Sequence, residues 1–134
     1  MKSLPLTLHL VLFSFFGFSQ EIILSPENNA RLAFAKNEIM PAIGKFKVSI
    51  VCDAVAVQAI CRENNLTPPK YAGTQRFAIR RKSQQIWVLA DNTIGGMYGG
   101  LDVADALRVN HPEWLENKDQ QPYLEERGIK FNIP

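Results

Sequence analysis

Apolar positions along this chain change period several times, and each change marks a new element. Leu32, Ala35, Ile39 and Ile43 recur at helical spacing after Ser25-Pro26-Glu27-Asn28. They predict a first helix capped by Ser25 or Asn28 and bent or ended by Pro41. From Phe46 to Val51 the period falls to two: Phe46, Val48 and Ile50 alternate with Lys47, Ser49 and Val51, the pattern of a strand with one apolar face. Asp53 can then cap a second helix carrying Val57, Ile60 and Cys61 on one side, closed by Asn64-Asn65 and Pro68-Pro69.

Farther along, Phe77 and Ile79 alternate with Arg76, Ala78 and Arg80, and Ile86, Val88 and Ala90 alternate with Trp87 and Leu89. With the turn-like Arg81-Lys82-Ser83-Gln84 between them, these runs predict an antiparallel hairpin whose second strand is buried on both faces. Asp91 to Gly100 leads into a third helix, with Asn92 or Thr93 as its cap and Leu101, Ala104 and Leu107 as its stripe, running to about Arg108. His111-Pro112-Glu113 and the polar run Glu116 to Gln121 read as part of a linker, and Arg127 to Pro134 is strand-like. The expected fold is α/β (α+β): a small mixed sheet with a hairpin and an early strand at Glu21 to Leu24, covered by about three helices.

The amino terminus follows another logic. Lys2 precedes a nearly unbroken apolar run from Leu4 to Phe18, and Gly17-Phe18-Ser19 offers small residues for cleavage before Gln20. That is the pattern of a secretory signal peptide, so residues 1–19 are expected to be removed and the protein exported, periplasmic or extracellular. The run of about 15 residues is short of the ~20 that span a bilayer, and no later run is longer, so no stable membrane span is expected after cleavage. The residues after the signal suit one small domain, and the full 134-residue chain, 46% apolar and 21% charged, is close to a globular average and far from a disordered one.

A formal charge of +2 does not imply nucleic acid, and the cluster Arg76, Arg80, Arg81 and Lys82 reads as the solvated end of the hairpin. Cys52 and Cys61 are the only cysteines; with a helix between them they stand roughly 13 Å apart, beyond the ~7 Å reach of a disulfide, so two buried thiols are expected. Their spacing does not suit a zinc knuckle, and His9 and His111 lie in the signal and in a loop, so no metal or cofactor is expected.

Gly95, Gly96, Gly99 and Gly100 invite a phosphate-binding reading, but Met97 occupies the place of a dinucleotide fingerprint's second glycine, and no Lys-Ser/Thr pair follows. Their helical spacing instead predicts close packing of the third helix on the sheet. A glycosidase needs two carboxyl groups about 5 to 9.5 Å apart. Glu113, Glu116, Glu125 and Glu126 lie in or beside the polar linker, and Asp102 and Asp105 on the polar side of the third helix, so no catalytic residue is assigned.

Two stretches, Val88-Leu89-Ala90-Asp91-Asn92-Thr93-Ile94-Gly95-Gly96-Met97-Tyr98-Gly99-Gly100-Leu101 and Pro122-Tyr123-Leu124-Glu125-Glu126-Arg127-Gly128-Ile129-Lys130-Phe131-Asn132, carry a family resemblance. Together they resemble the end of the small α/β domain that precedes the (β/α)₈ barrel in family 67 α-glucuronidases and family 20 β-hexosaminidases. The resemblance implies an accessory domain at 20–110, a linker at 111–126 and, at 127–134, the start of a catalytic barrel absent from this chain. It implies that Arg127 matches an arginine that reaches the terminal sugar, although Asn132 stands where the family often has aspartate. The expected partners are the barrel of the same enzyme and carbohydrate. The rival expectation is a free-standing exported carbohydrate-binding or adaptor module.

Overall fold

A computed structural model describes residues 20–122 of the chain. The predicted signal peptide and the residues from 123 onward, Arg127 among them, lie outside the described residues.

Three short polar side chains set the helix starts. Asn29, Asp53 and Asn92 each adopt extended backbone and turn a side-chain oxygen onto first-turn N–H groups, at Arg31 and Leu32, at Ala56, and at Ile94 and Gly95. These contacts satisfy donors that have no partner within a helix. They open α1 (Ala30–Ile39), α2 (Ala54–Glu63) and α3 (Thr93–Arg108). The cap of α1 is Asn29 and neither Ser25 nor Asn28, because the first strand, β1 (Glu21–Ser25), already claims Ser25. Pro41 falls in a 3₁₀ turn, Met40–Ala42, that ends α1 as its ring requires.

The remaining strands are β2 (Lys47–Cys52), β3 (Phe77–Lys82), β4 (Gln85–Ala90) and β5 (Asn117–Gln120), in the sheet order β1-β2-β4-β3-β5. β1, β2 and β4 run parallel, and β3 is antiparallel to both β4 and β5. The α/β class, the mixed sheet, the hairpin and the early strand thus match the sequence pattern. The linker reading of 111–126 does not hold for its first half: a 3₁₀ turn, Pro112–Leu115, and β5 belong to the folded unit.

Helices cover both faces of the sheet. On one, Leu32 and Ile39 of α1 and Val103 of α3 pack on Val48, Ile50, Phe77, Ile79, Ile86 and Val88. On the other, Val57 and Cys61 of α2, with Leu66, pack on Val51, Ala78, Trp87 and Leu89. β2 and β4 are therefore buried on both sides. Val51, on the α2 side, is buried as Val48 and Ile50 are on the other, so β2 is apolar on both faces where its alternation predicted one.

The glycines of α3 allow its close approach. A Cβ added at Gly96 would lie 2.2 Å from Cys52 Sγ, and one at Gly99 2.4 Å from Val88 Cγ1. Among the described residues no helix is long and apolar enough to cross a membrane.

Candidate functional site

Beside its glycine stripe, α3 carries a second stripe, Tyr98, Leu101, Asp102 and Asp105, at spacings that keep all four on one side of a helix. This side is not roofed by α1. It borders β5, whose Lys118 and Gln120 pair in register with Ile79 and Phe77 and so share their face of the sheet. Between helix and strand lies a hollow of about 270 Å³, floored by Phe77 and Leu101 and edged by Tyr98, Gln75, Gln120 and Gln121. A second hollow of about 320 Å³ continues toward Val109, His111 and Trp114. Asp102, Asp105 and Lys118 line both, so the two form one groove.

An ion pair divides the groove: Lys118 Nζ lies 2.5 Å from Asp102 Oδ2. Among the described residues no donor forms a hydrogen bond to that oxygen, which is itself buried, so the contact is electrostatic. Asp105 is exposed and pairs with Arg108 at 3.2 Å. At the far end the His111 and Trp114 rings stack 4.4 Å apart and 9° from parallel. A hydrogen bond shared with His111 holds the Glu113 carboxyl below its ordinary range. Trp114 keeps 56% of its surface exposed and Tyr98 keeps 40%, so each end of the groove offers an aromatic side chain to solvent.

The residues singled out by sequence are distributed differently. Glu113 is occupied by His111, and Glu116 pairs with Arg81 at 2.7 Å. Glu125, Glu126 and Arg127 lie outside the described residues. Asp105 has the solvated position expected of it, whereas Asp102 is drawn against Lys118 and its side chain is only 30% exposed. Neither hollow is lined by serine, threonine or cysteine, and among the described residues no cluster of three His, Cys, Asp or Glu side chains converges to hold a metal. The groove is equipped to bind: carboxylates and amide oxygens accept, Lys118 and amide nitrogens donate, and ring faces stack.

The basic cluster also departs from expectation. Arg80, read as part of a solvated hairpin end, is 3% exposed. It points to the α2 face and donates to the carbonyls of Thr67, Pro68, Ile79 and Lys118 and to both oxygens of Asp119. Arg81 is half-buried and donates to Glu116, while Lys82 keeps to the surface, its Nζ donating to the carbonyls of Asn64 and Asn65.

No family model matches the chain, and no curated protein matches it. A solved structure does: a GH138 enzyme targeting pectin rhamnogalacturonan II, with a TM-score of 0.52 at 15% identity. The chain shares a fold with part of a glycoside hydrolase. The likeness covers 78% of this chain but only 15% of that enzyme, so the chain corresponds to a small portion of the enzyme's length. At this identity the likeness is one of backbone architecture, a layered α/β unit that occurs inside a large glycosidase.

Proposed function

We propose that this chain is the non-catalytic α/β domain of an exported glycoside hydrolase, placed ahead of a catalytic barrel as in the family 67 α-glucuronidases and family 20 β-hexosaminidases. The observation that carries the reading is the fold shared with one small portion of a glycoside hydrolase. The order of Gly96-Met97-Tyr98-Gly99 and then Arg127-Gly128 along the chain supports the finer family placement. In this reading residues 1–19 direct export, the domain begins at residue 20 and extends past the expected limit of 110 through β5, and 127–134 begin the barrel. The domain's work is to pack against the barrel and stabilise it. Arg127, at the entry to the barrel, contributes a contact to the terminal sugar.

A barrel of this kind needs about 200 residues or more, so catalysis belongs to a segment beyond this chain. The deciding experiment is to read the DNA downstream of the codon for Pro134. An in-frame barrel carrying paired carboxylates on its strand ends is the expected result; a stop codon with no such barrel would overturn the reading. The second reading, a free-standing exported carbohydrate-binding or adaptor module, is favoured by the exposed Tyr98 and Trp114 at the ends of the α3–β5 groove.

A further inference from the structure

The α3–β5 groove combines three properties that select its ligand. Its floor is apolar, with Phe77 and Leu101, and its ends carry the exposed side chains of Tyr98 and Trp114. Its rim is rich in groups that both donate and accept: Gln75, Gln120 and Gln121 each carry an amide oxygen and an amide nitrogen. Its charge is nearly balanced, because Lys118 offsets Asp102 and Arg108 stands beside Asp105.

The rim and the charge balance each exclude a class of ligand. A purely apolar molecule would strand the amides and the Asp102–Lys118 pair without water, which is costly in a contact this polar. An anionic ligand would meet two carboxylates whose neighbouring cations are already committed, Lys118 to Asp102 and Arg108 to Asp105 and Glu38, so its charge would gain no uncommitted partner from these groups. A neutral pyranose fits both demands. Its hydroxyls donate to carboxylates and accept from amide N–H groups or Lys118, while the C–H face of its ring covers an aromatic side chain. The two hollows, about 270 and 320 Å³, stand near the lower limit of ligand pockets, which run from about 300 Å³ upward. The stripe from Tyr98 to Val109 covers eleven residue steps, about 16 Å of helix. Two small hollows in line suit successive residues of one chain better than a single bulky molecule.

We infer that the groove between α3 and β5 is a binding site for a neutral saccharide of at least two residues, with Tyr98 as the stacking platform at one end and Trp114 at the other. Gln75, Gln120 and Lys118 supply donors to the hydroxyls between them, and Asp102 and Asp105 accept. This inference does not depend on a downstream barrel: a stop codon after Pro134 would leave the groove intact, and a barrel would not create it.

The test uses the full chain, labelled with ¹⁵N and titrated in turn with cellobiose, xylobiose and maltose, with digalacturonate as the anionic control. At least one neutral disaccharide is expected to shift the amides of 98–105 and 117–121 saturably, in the millimolar range of a shallow site. Tyr98→Ala is expected to weaken that binding about tenfold, a loss of about 1.4 kcal/mol, while Tyr98→Phe retains most of it. Unchanged amide positions on the α2 face of the sheet verify that both variants are folded. Silence toward all three neutral sugars overturns the inference. So does a response that survives Tyr98→Ala unchanged, or tighter binding of digalacturonate.

Discussion

Arg80 stands on the α2 side of the sheet with its guanidinium enclosed, and each of its N–H groups has an acceptor. Asp119, at 3.0 Å, neutralises it and also accepts from the Lys70 N–H at 2.8 Å. One side chain therefore ties the loop after α2 to the edge strand β5. Removing it takes a donor from four carbonyls and leaves the part-buried Asp119 carboxylate without its cation, so Arg80→Met is expected to cost about 3 kcal/mol, read by urea unfolding. Arg80→Lys recovers only part of this, because three donors on one flexible nitrogen cannot reach acceptors spread around a planar fork. Cys52 is the other buried group with a measurable consequence. Burial pushes its thiol up to about 11, against a weaker opposing hydrogen bond at the Gly96 backbone. Between its ordinary value of 9.0 and about 11, the unfolded chain releases this proton while the folded chain keeps it. The unfolded state then binds fewer protons, so the contribution is fully present below pH 9 and is lost as pH rises toward 11. Unfolding free energy measured across that range should fall, and Cys52→Ala should flatten the fall; a slope unchanged by the substitution would refute the assignment.

At the scale of elements, the contact between α3 and β2 is set by missing side chains. Gly96 leaves no room for a methyl group against Cys52 Sγ, and Leu32 Cδ2 and Ile50 Cγ2 stand at 3.1 and 3.2 Å from the same point. Gly96→Ala must push the helix outward or displace the sulfur, and overpacking of this kind costs about 1–3 kcal/mol. The pair Gly96→Ala and Cys52→Ala is expected to lose less than the sum of the singles, since removing the sulfur opens the space that the methyl enters. Thermal denaturation of the four proteins in the cycle measures this coupling, and simple additivity would show that the sulfur is not the obstacle. The glycine spacing was legible in the sequence as a close-packing stripe, because a helix face without side chains has few other uses. In the neighbouring stripe of Tyr98, Leu101, Asp102 and Asp105, the sequence pattern put Leu101 with the apolar positions and Asp102 and Asp105 on a solvated polar side. Which side of a polar stripe meets water depends on a strand that contributes from sixteen residues later.

For the molecule as a whole, export is the property most open to a direct check. The chain recovered from the periplasm or culture medium is expected to begin at Gln20, and amino-terminal sequencing of that material would detect retention of Met1 or Lys2. Within the folded unit, local pattern sufficed wherever the stabilising contact was apolar and repeated. The α/β class, the hairpin, the early strand, the three helices and the buried thiols were all readable in this way. Period and capping chemistry report on burial within a few residues of the chain, and β2, β4 and α3 are dominated by burial. The tertiary structure decided what has no period. Asn117-Lys118-Asp119-Gln120 contains no apolar residue and becomes a strand because β3 offers an open edge and Arg80 and Asp102 offer partners for its charges. The enclosure of Arg80 and the groove beside α3 follow from that pairing. Both depend on residues brought together from distant parts of the chain, and a charged side chain looks the same in sequence whether it ends in solvent or in a ring of carbonyls.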